Sequence, residues 1–285
     1  MNAMSERGTM KRIPVRGEEY ATWDSGGDGA AVLLLHGWPD EASIFREQFK
    51  ALSQNGFRVI AVDWLGHGSS SKPKRRTRYS APELGLDTIA LLDALEIERV
   101  HLVAHDYGAT ISWETVARFP ERFRSYTAIS VGPSIEIVRD VFIGALLNYY
   151  WLVLHGTRWA VPYYLANGAR RFYSKFASHP DRESVLRRLR DEDPLFFTIW
   201  ERANPAHEVI WRYVRAGAAR RIRVPTLGIF SRDDEWMTEG QMSRAYRHID
   251  AEWRYALIEG GHWVPLENPR AVNTLLLEWL ETRPA

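Results

Sequence analysis

Short, almost wholly apolar runs alternate with amphipathic stretches along most of the chain. "AVLLL" (31–35), "FRVIAV" (57–62), "ERVHLVA" (98–104), "SYTAISV" (125–131), "PTLGIF" (225–230) and "WRYALI" (253–258) have the length and composition of strands. Between them, apolar positions recur at helical spacing over about 41–54, 80–95, 108–118, 239–248 and 269–281. This alternation predicts a mostly parallel central sheet with helices on both faces, an α/β fold. "KRIPVRGEEYATWD" (11–24) reads as an antiparallel hairpin ahead of it.

The alternation stops between 133 and 221. That stretch is helix-like, dense in Trp, Tyr, Phe and Arg, and the strand pattern resumes after it with "RVPTLGIF". A helical segment between two core strands predicts an inserted cap. The expected organisation is a flexible tail over 1–10, a first core part over 11–132, the cap over 133–221 and a second core part over 222–285. The arginines of "ESVLRRLRDEDP" are interleaved with acids, as on a solvated face.

Charge and composition narrow the classes of function. With Lys+Arg 37 against Asp+Glu 36, there is no basic excess to match a nucleic-acid backbone. The absence of cysteine excludes disulfides and thiolate metal sites and fits a reducing, cytoplasmic setting. The start, "MNAMSERGTMKR", lacks the apolar centre of a secretory signal. "VFIGALLNYYWLVL" (141–154) is shorter than the ~18–20 residues a membrane span needs and predicts a buried helix. His101 and His105 are four apart but fall on a strand and its turn, so they make no helical metal site. "GHGSSSKP" (66–73) lacks the closing Gly-Lys-Ser/Thr of a phosphate loop. The expectation is a soluble monomer or homodimer with no metal and no cofactor.

The chemistry starts at "HLVAHDYGAT" (101–110). A strand runs into a turn flanked by the small residues Ala104 and Gly108, in the pattern small-x-nucleophile-x-Gly, and Asp106 stands at the nucleophile position. Upstream, "LLLHGWPD" (33–40) places His36, Gly37 and Pro39 in a bent loop, from which the backbone N–H of Trp38 can face the turn. With the N–H of Tyr107 it would form an oxyanion hole. Downstream, "IFSRDDEWMTE" (229–239) sets Asp233 and Asp234 after a late strand, and "IEGGHWVPLENP" (258–269) sets His262, followed by Trp263, on a Gly-rich loop. The order is nucleophile, acid, base.

On these motifs, together with "DWLGHGSSSKP" (63–73) and "TEGQM" (238–242), the chain resembles the α/β-hydrolases, and within them the epoxide hydrolases, which use an aspartate nucleophile. The resemblance spans nearly the whole sequence and favours Asp234 over Asp233 as the acid that orients His262. It implies two cap tyrosines that protonate the epoxide oxygen: Tyr150 in "LLNYYWLVLHG", with Tyr149 as a rival, and Tyr213 in "EVIWRYVRAG". Trp151 joins the expected pocket wall, and the aromatic cap as a whole, with Trp159, Tyr163 and Trp200, implies a bulky apolar substrate. Two departures stand out. Tyr107 replaces a common Trp, and the stretch from Tyr213 to Pro225 is short.

An aspartate at this turn suits a saturated electrophilic carbon. A serine would form an ether there that water cannot cleave, whereas a carboxylate forms an ester that activated water can hydrolyse. The expected reaction is hydrolysis of an apolar epoxide to a vicinal diol. The alternatives are a haloalkane-type dehalogenase using the same Asp106 and, in another class, a non-hydrolytic or receptor-type protein that keeps the pocket. A halide leaving group is usually held by a Trp directly after the nucleophile, and Tyr107 occupies that place.

Overall fold

The computed structural model describes residues 8–142, 176–191, 198–217 and 221–283. Its strands are β1 (Thr9–Val15), β2 (Glu18–Asp24), β3 (Ala31–Leu35), β4 (Arg58–Val62), β5 (Val100–His105), β6 (Phe123–Ile129), β7 (Thr226–Ser231) and β8 (Trp253–Ile258). They form one sheet in the order β1-β2-β4-β3-β5-β6-β7-β8. From β4 onward all neighbours are parallel, while β1 and β2 add an antiparallel edge. Every residue of β3 and β5 is buried, as strands covered on both faces require.

The N-terminal hairpin starts earlier than its composition indicates. Thr9 and Met10 pair with Asp24 and Trp23, so β1 begins inside the stretch expected to be a flexible tail. Its residues are mostly exposed and include Lys11 and Arg12, a polar pattern suited to a protected sheet edge. The two-residue turn is Arg16-Gly17, both at positive φ, which matches the twist of the paired strands.

Core helices are α1 (Arg46–Gln54), α2 (Ala81–Ala94) and α3 (Tyr107–Arg118). Between β6 and β7 the described residues form α4 (Ser134–Phe142), α5 (Arg182–Asp191), α6 (Ile199–Ala203) and α7 (Ala206–Ala216), together with turns and bends. After β7 follow α8 (Glu239–Ser243), α9 (Val264–Glu267) and α10 (Pro269–Glu281). The helix expected over 239–248 is two pieces. It tightens to a 3₁₀ turn over Arg244–His248, from which Arg244 and His248 reach Glu136 of α4. Helix α10 buries Val272, Leu276, Trp279 and Leu280, one helical stripe, and Asn268 caps its start by accepting from the Ala271 N–H. Among the described residues no helix is long and apolar enough to cross a membrane. The loops that leave the carboxyl ends of β3, β5, β7 and β8 meet at one edge of the sheet, where open parallel sheets place their sites.

Candidate active site

Strand β5 ends at His105 and α3 begins at Tyr107, so one residue, Asp106, makes the whole turn. Its φ of 52° and ψ of −120° lie where a non-glycine residue is strained. The surroundings leave it little choice. A Cβ at Gly108 would stand 2.2 Å from the Leu35 carbonyl oxygen, so only glycine lets α3 approach β3 this closely. The Thr110 N–H donates to the Asp106 carbonyl at 2.9 Å and closes the first helical turn.

The Asp106 carboxylate faces the loop after β3. Its Oδ1 accepts from the Trp38 N–H at 2.8 Å, and the Tyr107 N–H also donates to the group. A Cβ at Gly37 would lie 2.3 Å from both Asp106 Cβ and Oδ1, so the loop can present its N–H only with glycine at that position. His36 shapes the loop from behind. Burial and the neighbouring His67 lower its pKa to about 3, so the ring is neutral. Its Nδ1–H donates to the Gly37 carbonyl at 2.7 Å, and its Nε2 accepts from the Trp64 N–H at 3.0 Å. Pro39 follows through a cis peptide bond.

His262 stands between two carboxylates. Its Nδ1 is 2.9 Å from Asp234 Oδ2 and its Nε2 is 3.4 Å from Asp106 Oδ2. Asp234 in turn accepts from the N–H groups of Trp236 and Met237 at 2.8 and 2.9 Å, and its side chain is fully buried. Asp233 is exposed and its N–H donates to the Gly260 carbonyl, so of the two aspartates it is Asp234 that meets the imidazole. Burial alone would favour a neutral His262 ring, but Asp234 and Asp106 outweigh it and push the pKa up to about 10. Burial likewise opposes ionisation of Asp106, yet His262 and the Tyr107 N–H hold its pKa below the ordinary carboxylate value. The resting site is therefore an imidazolium between two carboxylates.

The other residues singled out in the sequence divide into three groups. Tyr149, Tyr150, Trp151, Trp159 and Tyr163 lie outside the described residues. Trp263 and Trp200 are buried beside the site: Trp263 packs edge-on to His262 at 5.3 Å between ring centres, and Trp200 lies 5.1 Å from the Tyr107 ring. Tyr213 is placed elsewhere. Its hydroxyl is 3.3 Å from His248 Nδ1, and it lines a cavity of about 430 Å³ with Trp113, Arg118 and Phe119. Trp113 and Arg118 belong to the far half of α3 and Phe119 follows its end, roughly 10–20 Å along the axis from Asp106 at ~1.5 Å per residue. The structure thus does not bring Tyr213 to the nucleophile. Ala216 at the end of α7 lines the same cavity as Ile222 and His248.

Several residues of the site were not found in the sequence. The His262 carbonyl accepts from His105 Nε2 at 2.8 Å and from Ser130 Oγ at 3.0 Å. Glu267 accepts from the N–H groups of Gly261 and Trp263, closing the loop around His262. Phe176 and Trp236 complete an aromatic wall with Trp38 and Trp263. Glu267, five residues after His262 in the same motif, had a signal in its spacing. Ser130 and Phe176 come from distant segments and had none.

Comparison with known proteins agrees with this architecture. Residues 30–269 match the model of the alpha/beta hydrolase fold family. Epoxide hydrolase A of Mycobacterium tuberculosis is 26% identical over 95% of this chain and 97% of its own length. The pig bifunctional epoxide hydrolase 2 is 26% identical over 90% of this chain, and the chain spans 52% of that protein. Among solved structures, epoxide hydrolase A of Mycobacterium thermoresistibile superposes with a TM-score of 0.82 at 22% identity, covering 96% of this chain and 98% of that one. A Vigna radiata epoxide hydrolase mutant gives 0.81 at 20% identity, covering 97% and 99%. At such identities the structural likeness shows the fold.

Proposed function

The chain belongs to the alpha/beta hydrolase fold family, and from that premise we propose that it hydrolyses an apolar epoxide to a vicinal diol through an ester on Asp106. The observation that carries the reading is the division of labour between the two Asp106 oxygens. Oδ1 is occupied by the Trp38 N–H, whereas Oδ2 is turned towards His262. Oδ2 attacks a ring carbon and the carbon–oxygen bond of the epoxide breaks. The departing oxygen takes a proton from Tyr150, since a phenol is a far stronger acid than the alcohol formed.

Esterification removes the charge on Asp106, and with it one of the two carboxylates that hold His262 protonated. The imidazolium proton then passes to the Tyr150 phenolate, restoring the phenol, and the neutral ring takes a proton from water, which attacks Asp106 Cγ. The Trp38 and Tyr107 N–H groups stabilise the resulting oxyanion. As it collapses the ring gives its proton to the leaving oxygen, which departs as the diol. The carboxylic acid left on Asp106 returns a proton to the ring and restores the ion pair. Asp234 orients the ring throughout and stabilises its charged form. The segment 133–221 acts as the cap that supplies the pocket wall. Tyr213 is left out of this acid step because of where it lies. The names of the relatives support the substrate class, and the aspartate at the elbow supports a saturated electrophile.

Styrene oxide and 1-bromobutane, assayed side by side, test the reading. Diol from the epoxide without bromide from the haloalkane is the expected result, and Asp106→Ala should abolish it. Bromide release alone would assign the site to dehalogenation, and undiminished diol formation by Asp106→Ala would remove Asp106 from the mechanism.

A further inference from the structure

Among the described residues, the segment between β6 and β7 meets the oxyanion loop through buried side chains. His179, fully buried, places Nε2 3.0 Å from Oδ1 of Asp40, whose side chain is 5% exposed. The Asp181 N–H donates to His179 Nδ1 at 2.9 Å, so the ring carries its proton on Nε2 and donates it to Asp40. Three residues earlier, buried Phe176 packs on the Trp38 ring at 5.6 Å. The same segment therefore grips the residues on either side of Pro39. Further out, Arg46 pairs with Asp181, and Arg188 reaches Glu41 and the Pro39 carbonyl.

The position of Asp40 matters for the direction of one N–H. Trp38 N–H and the Gly37 carbonyl belong to the same planar peptide and point opposite ways. That carbonyl accepts from the Asp40 N–H at 3.0 Å and from His36 Nδ1 at 2.7 Å, closing a tight turn over residues 37–40. Whatever holds Asp40 therefore holds the carbonyl, and through the peptide plane it aims the Trp38 N–H at Asp106. Among the described residues Asp40 Oδ2 is buried without a hydrogen-bond partner, and His179 is the side chain that donates to this carboxylate. Losing that donor leaves the group buried without one and gives it reason to move.

We propose that His179 is a positioning residue that acts through Asp40 to aim the Trp38 N–H, so that seating of the inserted segment completes the oxyanion hole. The proposal rests on the ester mechanism above. It assigns His179 to the second half of the cycle, because the developing oxyanion needs the aimed N–H more than the resting carboxylate does. No new covalent step is added.

Rapid-quench kinetics with styrene oxide, with intact-mass detection of the alkylated protein, separate the two half-reactions. In His179→Ala the alkylation rate should stay within about threefold, while ester hydrolysis slows by roughly 10- to 100-fold, a fraction of the loss known for deleting an oxyanion donor, so that adduct accumulates. His179→Gln, which can present an amide N–H to Asp40, should restore much of the hydrolysis rate. Asp40→Ser, too short to reach the ring, should reproduce the alanine result and serves in its place if His179→Ala does not fold. Arg46→Ala loosens the same segment at its solvated rim and should leave the ratio of the two rates unchanged. Equal slowing of both steps, no change in either, or an equal shift in Arg46→Ala would overturn the proposal. Failure of the wild-type protein to form any adduct would instead count against the ester mechanism itself.

Discussion

The loops around Asp106 and the helices inserted after β6 are held by different kinds of contact. At Asp106 and Asp234 the donors besides His262 are backbone N–H groups, from Trp38, Tyr107, Trp236 and Met237. Among the described residues, the inserted segment meets the core through side-chain contacts such as these. Arg46 pairs with Asp181, Arg212 with Glu114, and Asn204 caps α2 by accepting from the Ala81 N–H while donating to the Tyr79 carbonyl. Trp211 and Val214 of α7 remain 64% and 63% exposed. Backbone donors depend on the path of the chain and survive most substitutions; side-chain contacts can be exchanged one at a time. The difference teaches that the reacting groups are built into the fold, whereas the surroundings that would choose a substrate are carried by replaceable residues.

The comparison breaks most visibly if a single added methyl disturbs the backbone half. In Gly37→Ala the new Cβ collides with Asp106, so the loop must shift and withdraw its N–H. Steady-state assays should show kcat reduced roughly 100- to 1,000-fold with the fold intact by circular dichroism. A kcat near wild type would mean that the Trp38 N–H is dispensable.

The electrostatic side of the same region gives a smaller, pH-dependent effect. In the free protein the His262 pKa is about 10, above its ordinary 6.5, so the ion pairs it forms stabilise the fold fully below pH 6.5 and this contribution fades as pH rises to about 10. Once Asp106 is esterified, the ring should titrate lower. Ester hydrolysis followed in single turnovers should rise with pH through an apparent pKa at least about one unit below that of the free protein, measured by imidazole NMR. An equal or higher value would contradict the charge-release argument.

The smallest effect is expected in the inserted segment. Tyr213→Phe removes a hydroxyl that meets His248 beside the far half of α3. Turnover should stay within about twofold of wild type, against the roughly 100-fold or greater loss expected for a general acid. A loss of that larger size would place Tyr213 back among the proton donors.

The legibility of the sequence follows the same division. Strands such as Ala31–Leu35 are apolar throughout because they are buried on both faces, and the elbow, the His-Gly-x-Pro loop and the His262 loop are local patterns whose chemistry depends on neighbours in sequence. Asp234 could be told from Asp233 only by register, and the reason is local too: a turn that sends the Trp236 and Met237 N–H groups onto one carboxylate leaves the other in solvent. β1 was harder to read, since an exposed edge strand has the composition of a tail. The place of Tyr213 beside His248 was not legible, because an amphipathic helix says which face it buries but not which part of the core receives it. The pairs His179–Asp40 and Ser130–His262 join segments more than a hundred residues apart, and no spacing rule announces them.

The central claim is that Asp106 itself is esterified and then released by water. One turnover with enzyme in excess, run in water enriched in heavy oxygen, tests it directly by mass spectrometry of both the diol and the peptide containing Asp106. The account predicts label in the Asp106 carboxyl and none in the first diol formed, whose new oxygen comes from the side chain. Label in the first diol, with Asp106 unlabelled, would mean that water opens the ring without any bond to the protein.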